Sequence, residues 1–315
     1  MQSEQFHDFD EFIGSVSDID ATMLMVNPTE RLWTIDHVNM AGVHVQLGRL
    51  GSGNIVEGQA PADGIVLYIP LSERTEYAIN GSNLNEGQLA VLESGCEFCV
   101  ATKAAHDWAS IFVSASCVAG EAMRLGLDRK SDAPACLTVQ AGASVLSRLR
   151  TLVQRVVAGS IGCPEIEASP AARSAMVELL DAASPVIAQH QTWERCDGRG
   201  RPPLGRQEII RSTRDLLARH EGKPVLVRDL ATAADISDRT LRTVFNEFFG
   251  VGPARYLQLR QLHQVHHDLR ICSSEQTSVT NVLLHHGVWE FGRFASRYKK
   301  LFGKTPSATL YAKSR

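Results

Sequence analysis

Two periodicities divide the chain. Between about residue 35 and residue 115, short apolar and β-branched runs (VHVQL, GIVLYIPL, EYAI, QLAVLE and SIFVS) alternate with Gly, Asn and Ser. GSGN at 51–54, NGSN at 80–83 and ESG at 93–95 read as turns. Closely spaced short strands of this kind predict a small antiparallel barrel or sandwich. Further on the period lengthens to that of a helix. VLSRLRTLVQRVV (145–157) carries an apolar stripe flanked by Arg, and AARSAMVELLDAASPVIAQH continues from Pro170 with an interruption expected at Pro185. Such a stripe needs a partner, either the barrel it caps or a second copy of the chain. From residue 206 onward the pattern is almost wholly helical.

Between the two regimes, ERCDGRGRPPLG (194–205) has no apolar period and reads as a hinge. The organisation expected is a barrel with its helical segment over 1–193, a linker over 194–205 and a helical domain over 206–315. Charge follows the same division. Residues 1–198 hold 12 Lys+Arg against 25 Asp+Glu, net −13, whereas residues 199–315 hold 20 against 10, net +10. A polyanion partner is therefore expected for the second part alone.

A length of 315 residues suffices for two cores. No apolar run is long enough to span a bilayer, and the acidic start MQSEQFHDFDEF lacks the features of a secretory signal, so a cytoplasmic location is expected. The seven scattered cysteines agree with a reducing compartment. Cys96 and Cys99 alone have a suggestive spacing, and no second pair completes a metal site. No G-x-S-x-G, P-loop or HExxH motif is present, so no enzyme activity, cofactor or metal is expected. A barrel-fold enzyme or binding protein with a helical appendage, and a protein–protein adaptor, are the rival readings.

The helical part carries one plan twice. In the first copy, about 227–249, Val227, Leu230, Ala231 and Ala234 share a face, and Asp235-Ile236 make a tight turn. Ser237 caps the next helix, which buries Leu241, Val244, Phe245 and Phe248 and ends at Gly250. Asp238, Arg239, Arg242, Thr243 and Asn246 face outward. Arg suits guanine O6/N7, Asn suits adenine N6/N7 and Thr suits a thymine methyl or a phosphate, so this is a helix-turn-helix plan. In the second copy, about 279–302, the offset is 52 before the turn (Val227 with Val279, Ile236 with Val288). It is 53 after the turn (Leu241 with Phe294, Gly250 with Gly303), so the second turn is one residue longer. PARYLQLRQLHQVHHDLR (253–270) joins the copies as one stiff helix. Its His263, His266 and His267, with His285-His286 beyond, read as a polar face near DNA rather than as metal ligands.

These residues, LA…DIS–RTL–VF-EFFG–P-RYL-LRQL (230–262) and VTNVLLHHGVWEFGRFASRYKKLFGKTPSATL (279–310), resemble the AraC/XylS family of bacterial transcription regulators. The resemblance implies an α+β protein with an N-terminal cupin-like antiparallel β-barrel, a helical dimerisation segment and a C-terminal all-α double helix-turn-helix domain. It further implies a homodimer on double-stranded promoter DNA that activates or represses transcription in response to a small organic effector, with RNA polymerase as partner and activation of a catabolic or stress operon as the expectation. Arg239, Arg242 and Thr243 match the family's contact positions in the first reading helix. In the second, Phe291, Gly292, Ala295, Ser296 and Lys299 stand where the first copy has Asp238, Arg239, Arg242, Thr243 and Asn246. Many relatives have Arg at the position of Ser296, and here Arg occupies the next position, Arg297. The first copy is thus expected to carry most base readout. Arg293, Arg297, Lys299 and Lys300 are expected to hold the backbone, with apolar contacts to thymine methyls, and Ser237, Glu290, Phe291 and Ser296 complete the candidate DNA-binding residues.

For the barrel, Trp33, His44, Arg49, Tyr68 and Trp108 are the candidate effector-binding residues. An inward Arg would suit a carboxylate. Family analogy favours an aromatic or other small organic effector.

Overall fold

The computed structural model describes residues 4–40, 42–73, 75–125, 136–160, 169–191, 205–220, 224–273, 275 and 277–314. Most of the predicted linker, 194–204, lies outside the described residues. The strand-rich part begins earlier than its hydrophobic pattern announces. β1 (Glu4–Phe6), α1 (Phe9–Ser15) and β2 (Asp20–Val26) precede β3 (Trp33–Met40), β4 (Val43–Leu50), β5 (Gly53–Gln59) and β6 (Gly64–Pro70). There follow β7 (Tyr77–Ile79), β8 (Ser82–Asn83), β9 (Gln88–Leu92), β10 (Glu97–Thr102), β11 (His106–Ser114), α2 (Ala115–Leu125) and β12 (Cys136–Gln140). All pairings are antiparallel, in a sheet ordered β1-β3-β4-β11-β6-β9-β12 and a second ordered β2-β5-β10-β7-β8.

The larger sheet is buried on both faces, which explains its nearly continuous apolar runs. On β4, β6 and β11, Val43, Val45, Leu47, Ile65, Leu67, Ile69, Ala109, Ile111 and Val113 pack under helices. The alternate residues Leu50, Val66, Tyr68, Trp108 and Phe112 turn into the barrel. The covering helices are α3 (Ala143–Ser160) and α4 (Pro170–Gln191), which pack on each other and on this sheet. Pro185 does not interrupt α4. Its ring is exposed, and the Ser184 hydroxyl donates to the Asp181 carbonyl (3.0 Å), the acceptor that proline at i+4 leaves without its helical N–H.

The helical part comprises α5 (Arg206–Arg219), α6 (Val227–Ala233), α7 (Asp238–Phe249), α8 (Pro253–Ile271), α9 (Val279–His285), α10 (Phe291–Phe302) and α11 (Pro306–Leu310), then a 3₁₀ turn, Tyr311–Ser314. Pro253 opens α8, where a missing N–H costs nothing, and its 19 residues make a rod of about 28 Å. Buried residues of this part form one continuous core with the barrel interior. No described helix is long and apolar enough to cross a membrane.

Candidate nucleic-acid interface and internal cavity

In the first unit, Asp235 adopts φ +50° in the turn, and the Ser237 hydroxyl accepts from Thr240 N (3.2 Å) to cap α7. Leu241, Val244, Phe245, Phe248 and Phe249 are buried, and Gly250 ends the helix at φ +67°. Asp238, Arg239, Arg242, Thr243 and Asn246 are all exposed. Ser237 is committed to its cap, and Asp238 sits in the first turn where the helix dipole favours a carboxylate. Thr243 and Asn246 bond back to the carbonyls of Arg239 (3.1 Å) and Arg242 (2.8 Å). Neither Arg239 nor Arg242 has an ion-pair partner among the described residues.

The second unit repeats the scaffold, with Phe294, Tyr298, Leu301 and Phe302 buried and Gly303 at φ +78°. Its turn places Gly287 (φ +68°) where the first has Asp235. The residue that changes the offset from 52 to 53 is Trp289, between Val288 and the N-cap Glu290. It is 77% exposed, the most open large apolar side chain described, with Phe291 and Leu284 also exposed. Residue-type reasoning passed over Trp289, although the offset change pointed to it. Glu290 pairs with Arg293 at 3.0 Å, both well exposed, a contact worth well under about 1 kcal/mol. Ser296 bonds back to the Gly292 carbonyl (3.1 Å), while Arg297, Lys299 and Lys300 are exposed. Arg255 of α8 was also missed. Burial, then the charge of Arg297, lowers its pKa, so two like charges stand close together on this surface.

The barrel grips the helical part chiefly behind the outward faces, and Arg31 also donates to the Lys300 carbonyl at the end of α10 (2.8 Å). Glu57 of β5 accepts from Arg214 Nε (2.7 Å) and from the Tyr256 hydroxyl (2.5 Å). Met25 N donates to His263 Nε2 (2.9 Å), and the Cys99 thiol reaches the Phe248 carbonyl. At the far end, Asp8, the N-cap of α1, pairs with Arg270 (3.0 Å) and Lys304 (2.9 Å). Burial alone would raise the Asp8 pKa. Hydrogen bonds from His266 and Lys304, and the charges of Lys304 and Arg270, hold it well below the usual carboxylate range.

The polar-face reading of His263 and His266 is therefore corrected. Both are buried, His263 between Phe9 and Phe302, and His266 stacked on Phe302 at 4.0 Å. His286 is buried too and bonds Asp268 of α8 (2.7 Å), so it is held inside the helical part rather than presented to DNA. Asp8, Asp10 and His266 come within metal-ligand reach of one another, but Arg270 and Lys304 already hold Asp8.

Inside the barrel lies a cavity of about 50 Å³ walled by residues of α1, the loop after it and strands β2, β4, β5, β6, β9, β10 and β11. Register assembles its polar side: Ser110 of β11 is paired with Gln46 of β4 and with Tyr68 of β6, while Trp108 is paired with Gly48 and Pro70. The Trp108 indole lies against Gly48, where any Cβ would collide with it. Tyr68 and Trp108 line the cavity; Trp33, His44 and Arg49 do not. Trp33 is sealed beneath Phe9 with its N–H on Ser52. His44 sits behind Asp18 (3.0 Å), and Arg49, one residue out of phase with Gly48, is exposed. Period-2 geometry couples this cavity to the helical part. Val56, Phe98 and Val100 line it, while the intervening Glu57 and Cys99 face Arg214, Tyr256 and Phe248.

These faces define a doubled helix-turn-helix unit docked on a cupin-like barrel. Residues 230–311 match a protein family described as a helix-turn-helix domain. The same C-terminal part is similar in sequence to curated transcriptional regulators. Similar curated proteins include the "Probable thc operon regulatory protein" of Rhodococcus erythropolis, 30% identical over 45% of this chain and 42% of that protein. "XylDLEGF operon transcriptional activator 2" of Pseudomonas putida is 37% identical over 28% of this chain and 56% of that protein. The chain thus spans about half the length of these relatives. Among solved structures, the AraC-like transcriptional activator CuxR aligns over 85% of this chain and 96% of its own, at 11% identity and TM-score 0.42.

Proposed function

We propose that this protein is a ligand-responsive, sequence-specific DNA-binding regulator that activates transcription of a catabolic or stress operon. One observation carries the reading: both reading helices keep their polar and basic faces exposed while the barrel holds the scaffold behind them. Arg239, Arg242, Thr243 and Asn246 read bases from α7. Arg293, Arg297, Lys299 and Lys300, joined by Arg255, hold phosphates around α10, where Phe291 and Trp289 offer apolar contact to thymine methyls. The stiff α8 sets the spacing of the two helices along one face of the duplex.

The effector occupies the barrel cavity. Its pressure on Phe12, Val56 and Phe98 reaches the helical part through Asp8, Glu57 and Cys99. The names of the Pseudomonas putida relatives, activators of one operon, favour activation. RNA polymerase is the expected partner at the promoter, and the α3–α4 layer, with Val177 53% exposed, offers a face for a homodimer. Domains over 1–193 and 206–315, joined through 194–205, fit this division of labour.

A fluorescence-anisotropy titration across salt concentrations tests the reading. At its preferred site, Arg242→Ala should cost about 1–3 kcal/mol and relax sequence preference. Lys300→Ala should weaken all duplexes alike and lower the salt slope by about one. Failure of the full chain to bind any duplex at low salt would end the regulator reading.

A further inference from the structure

The two reading helices differ in the kind of atom they show to a duplex. On α7 the outward positions carry Arg239, Arg242, Thr243 and Asn246, all of them hydrogen-bonding groups. At the matching positions of α10 stand Gly292, Ala295, Ser296 and Lys299. Gly292 and Ala295 have no polar side-chain atom, and the Ser296 hydroxyl donates back to the Gly292 carbonyl (3.1 Å). Arg293 is turned onto the Glu290 carboxylate (3.0 and 3.3 Å). Lys299 lies in the last turn of α10, about 12 Å along the axis from Phe291, whereas a reading helix contacts base edges with its N-terminal residues.

What the N-terminal end of α10 shows instead is carbon. Trp289, 77% exposed, precedes the N-cap, and Phe291, 39% exposed, is the first helical residue. The first unit has no counterpart of Trp289, because Ser237 follows Ile236 directly. A Cβ on Gly292 would meet nothing within 4 Å, so the surface beside Phe291 is open to close approach. Exposed large apolar side chains at one end of a helix mark a contact surface. Arg297, Lys299 and Lys300 further along α10, with Arg255 near Arg297, fit that surface to a polyanion. In the major groove of a duplex, the apolar group on a base edge is the C5-methyl of thymine. 5-Methylcytosine carries the same methyl at the same ring position.

Resting on the regulator reading, we propose that α10 reads its half-site through pyrimidine 5-methyl groups, with Trp289 and Phe291 as the residues that set this specificity. Thymine and 5-methylcytosine are then accepted alike under α10, and uracil and unmethylated cytosine are not. Binding therefore responds to cytosine methylation in that half-site.

Anisotropy titration of the full chain on labelled duplexes tests this. The parent duplex is one that the chain enriches from a random library, and the half-site under α10 is the half whose preference survives Arg242→Ala. Uracil in place of thymine there removes only a methyl and should weaken binding about fourfold for each methyl contacted. A C·G pair in place of T·A should weaken it at least as much, and 5-methylcytosine in place of that cytosine should restore about fourfold. Trp289→Ala alters an exposed side chain, so it should leave the melting temperature unchanged, weaken the parent duplex about fivefold and shrink the thymine–uracil difference below twofold. Trp289→Leu, still apolar, should keep part of that difference. A half-site without thymine, or one indifferent to uracil and to 5-methylcytosine while the preference carried by Arg242 persists, would overturn the proposal and leave the regulator reading standing. Equal affinity of wild type and Trp289→Ala for the parent duplex would overturn it too, and would assign the exposed aromatic pair to a protein partner. A chain that enriches no duplex and binds none at low salt would overturn both readings.

Discussion

Replacing Glu57 with alanine is expected to lower the stability of the protein by about 3–5 kcal/mol and to uncouple the barrel from the DNA-binding part. The Glu57 carboxylate is 10% exposed and takes both the Arg214 guanidinium and the Tyr256 hydroxyl. Burial would lower the Arg214 pKa, and the charge and hydrogen bond of Glu57 raise it instead. Burial, then the charge of Glu57, pushes the Tyr256 pKa well up, which keeps its hydroxyl a donor. Alanine leaves the buried Tyr256 hydroxyl without its acceptor and the half-buried Arg214 with only Glu97 (3.7 Å) and the Phe98 carbonyl (3.4 Å), the costly way to break such a pair.

Glu57→Gln keeps an oxygen for one of the two donors and should cost about 1–2 kcal/mol. Scanning calorimetry reads both outcomes. Glu57→Ala should separate one unfolding transition into two, and a wild-type profile would show that the pair does not hold the two parts together. Because Val56 lines the cavity beside Glu57, the alanine variant should bind effector without passing the change to DNA.

Acid is expected to destabilise the fold well above the range where carboxylates titrate. Burial holds the His106 pKa at about 4, and burial and then the neighbouring His266 hold that of His263 at about 3. In the unfolded chain both return to about 6.5. Folded values below unfolded ones mean that the unfolded state binds more protons between these limits. Stability is therefore complete above about pH 7 and falls as pH drops, by up to about 2.7 kcal/mol per pH unit when both groups act.

From pH 7.5 to pH 5 the two histidines should together cost about 4 kcal/mol. Urea unfolding at both pH values measures this. His263→Gln, whose amide oxygen can accept from Met25 N, should remove about half of the pH dependence. Equal stability at pH 7.5 and pH 5 would show that neither histidine is held neutral. The Asp8 clamp belongs to a lower window: its depressed pKa adds stability above about 4 that is lost only as pH falls further.

The repeated unit was legible because its determinants are local. Leu241, Val244, Phe245 and Phe248 follow the helical period, Ser237 marks the cap, and Gly250 and Gly303 both adopt the left-handed conformation that ends a helix there. The offset change even located the insertion that turned out to be Trp289. Of the five barrel candidates, the structure turns only Tyr68 and Trp108 to the cavity, and strand parity sends Arg49 outward once Gly48 is seen beneath Trp108.

What could not be read depends on contacts remote in sequence. His263 and His266 look like a polar stripe along α8, yet Phe9 and Met25, more than two hundred residues earlier, bury and bond His263, while Tyr298 and Phe302 of α10 cover His266. Short α1 has too few residues to show a period, and its role comes from Asp8 meeting Arg270 and Lys304. Pro185 is different: the compensating Ser184 hydroxyl is local, bonding the Asp181 carbonyl one turn back, and a reading by proline alone passes over it.

In vitro selection of the purified full chain on a random duplex library, followed by sequencing, tests the central claim most directly. The account predicts an enriched motif with two determinants about one helical turn apart, the stronger under α7 and lost in Arg242→Ala. A library that stays random after repeated rounds, or a single determinant insensitive to Arg242, would contradict it.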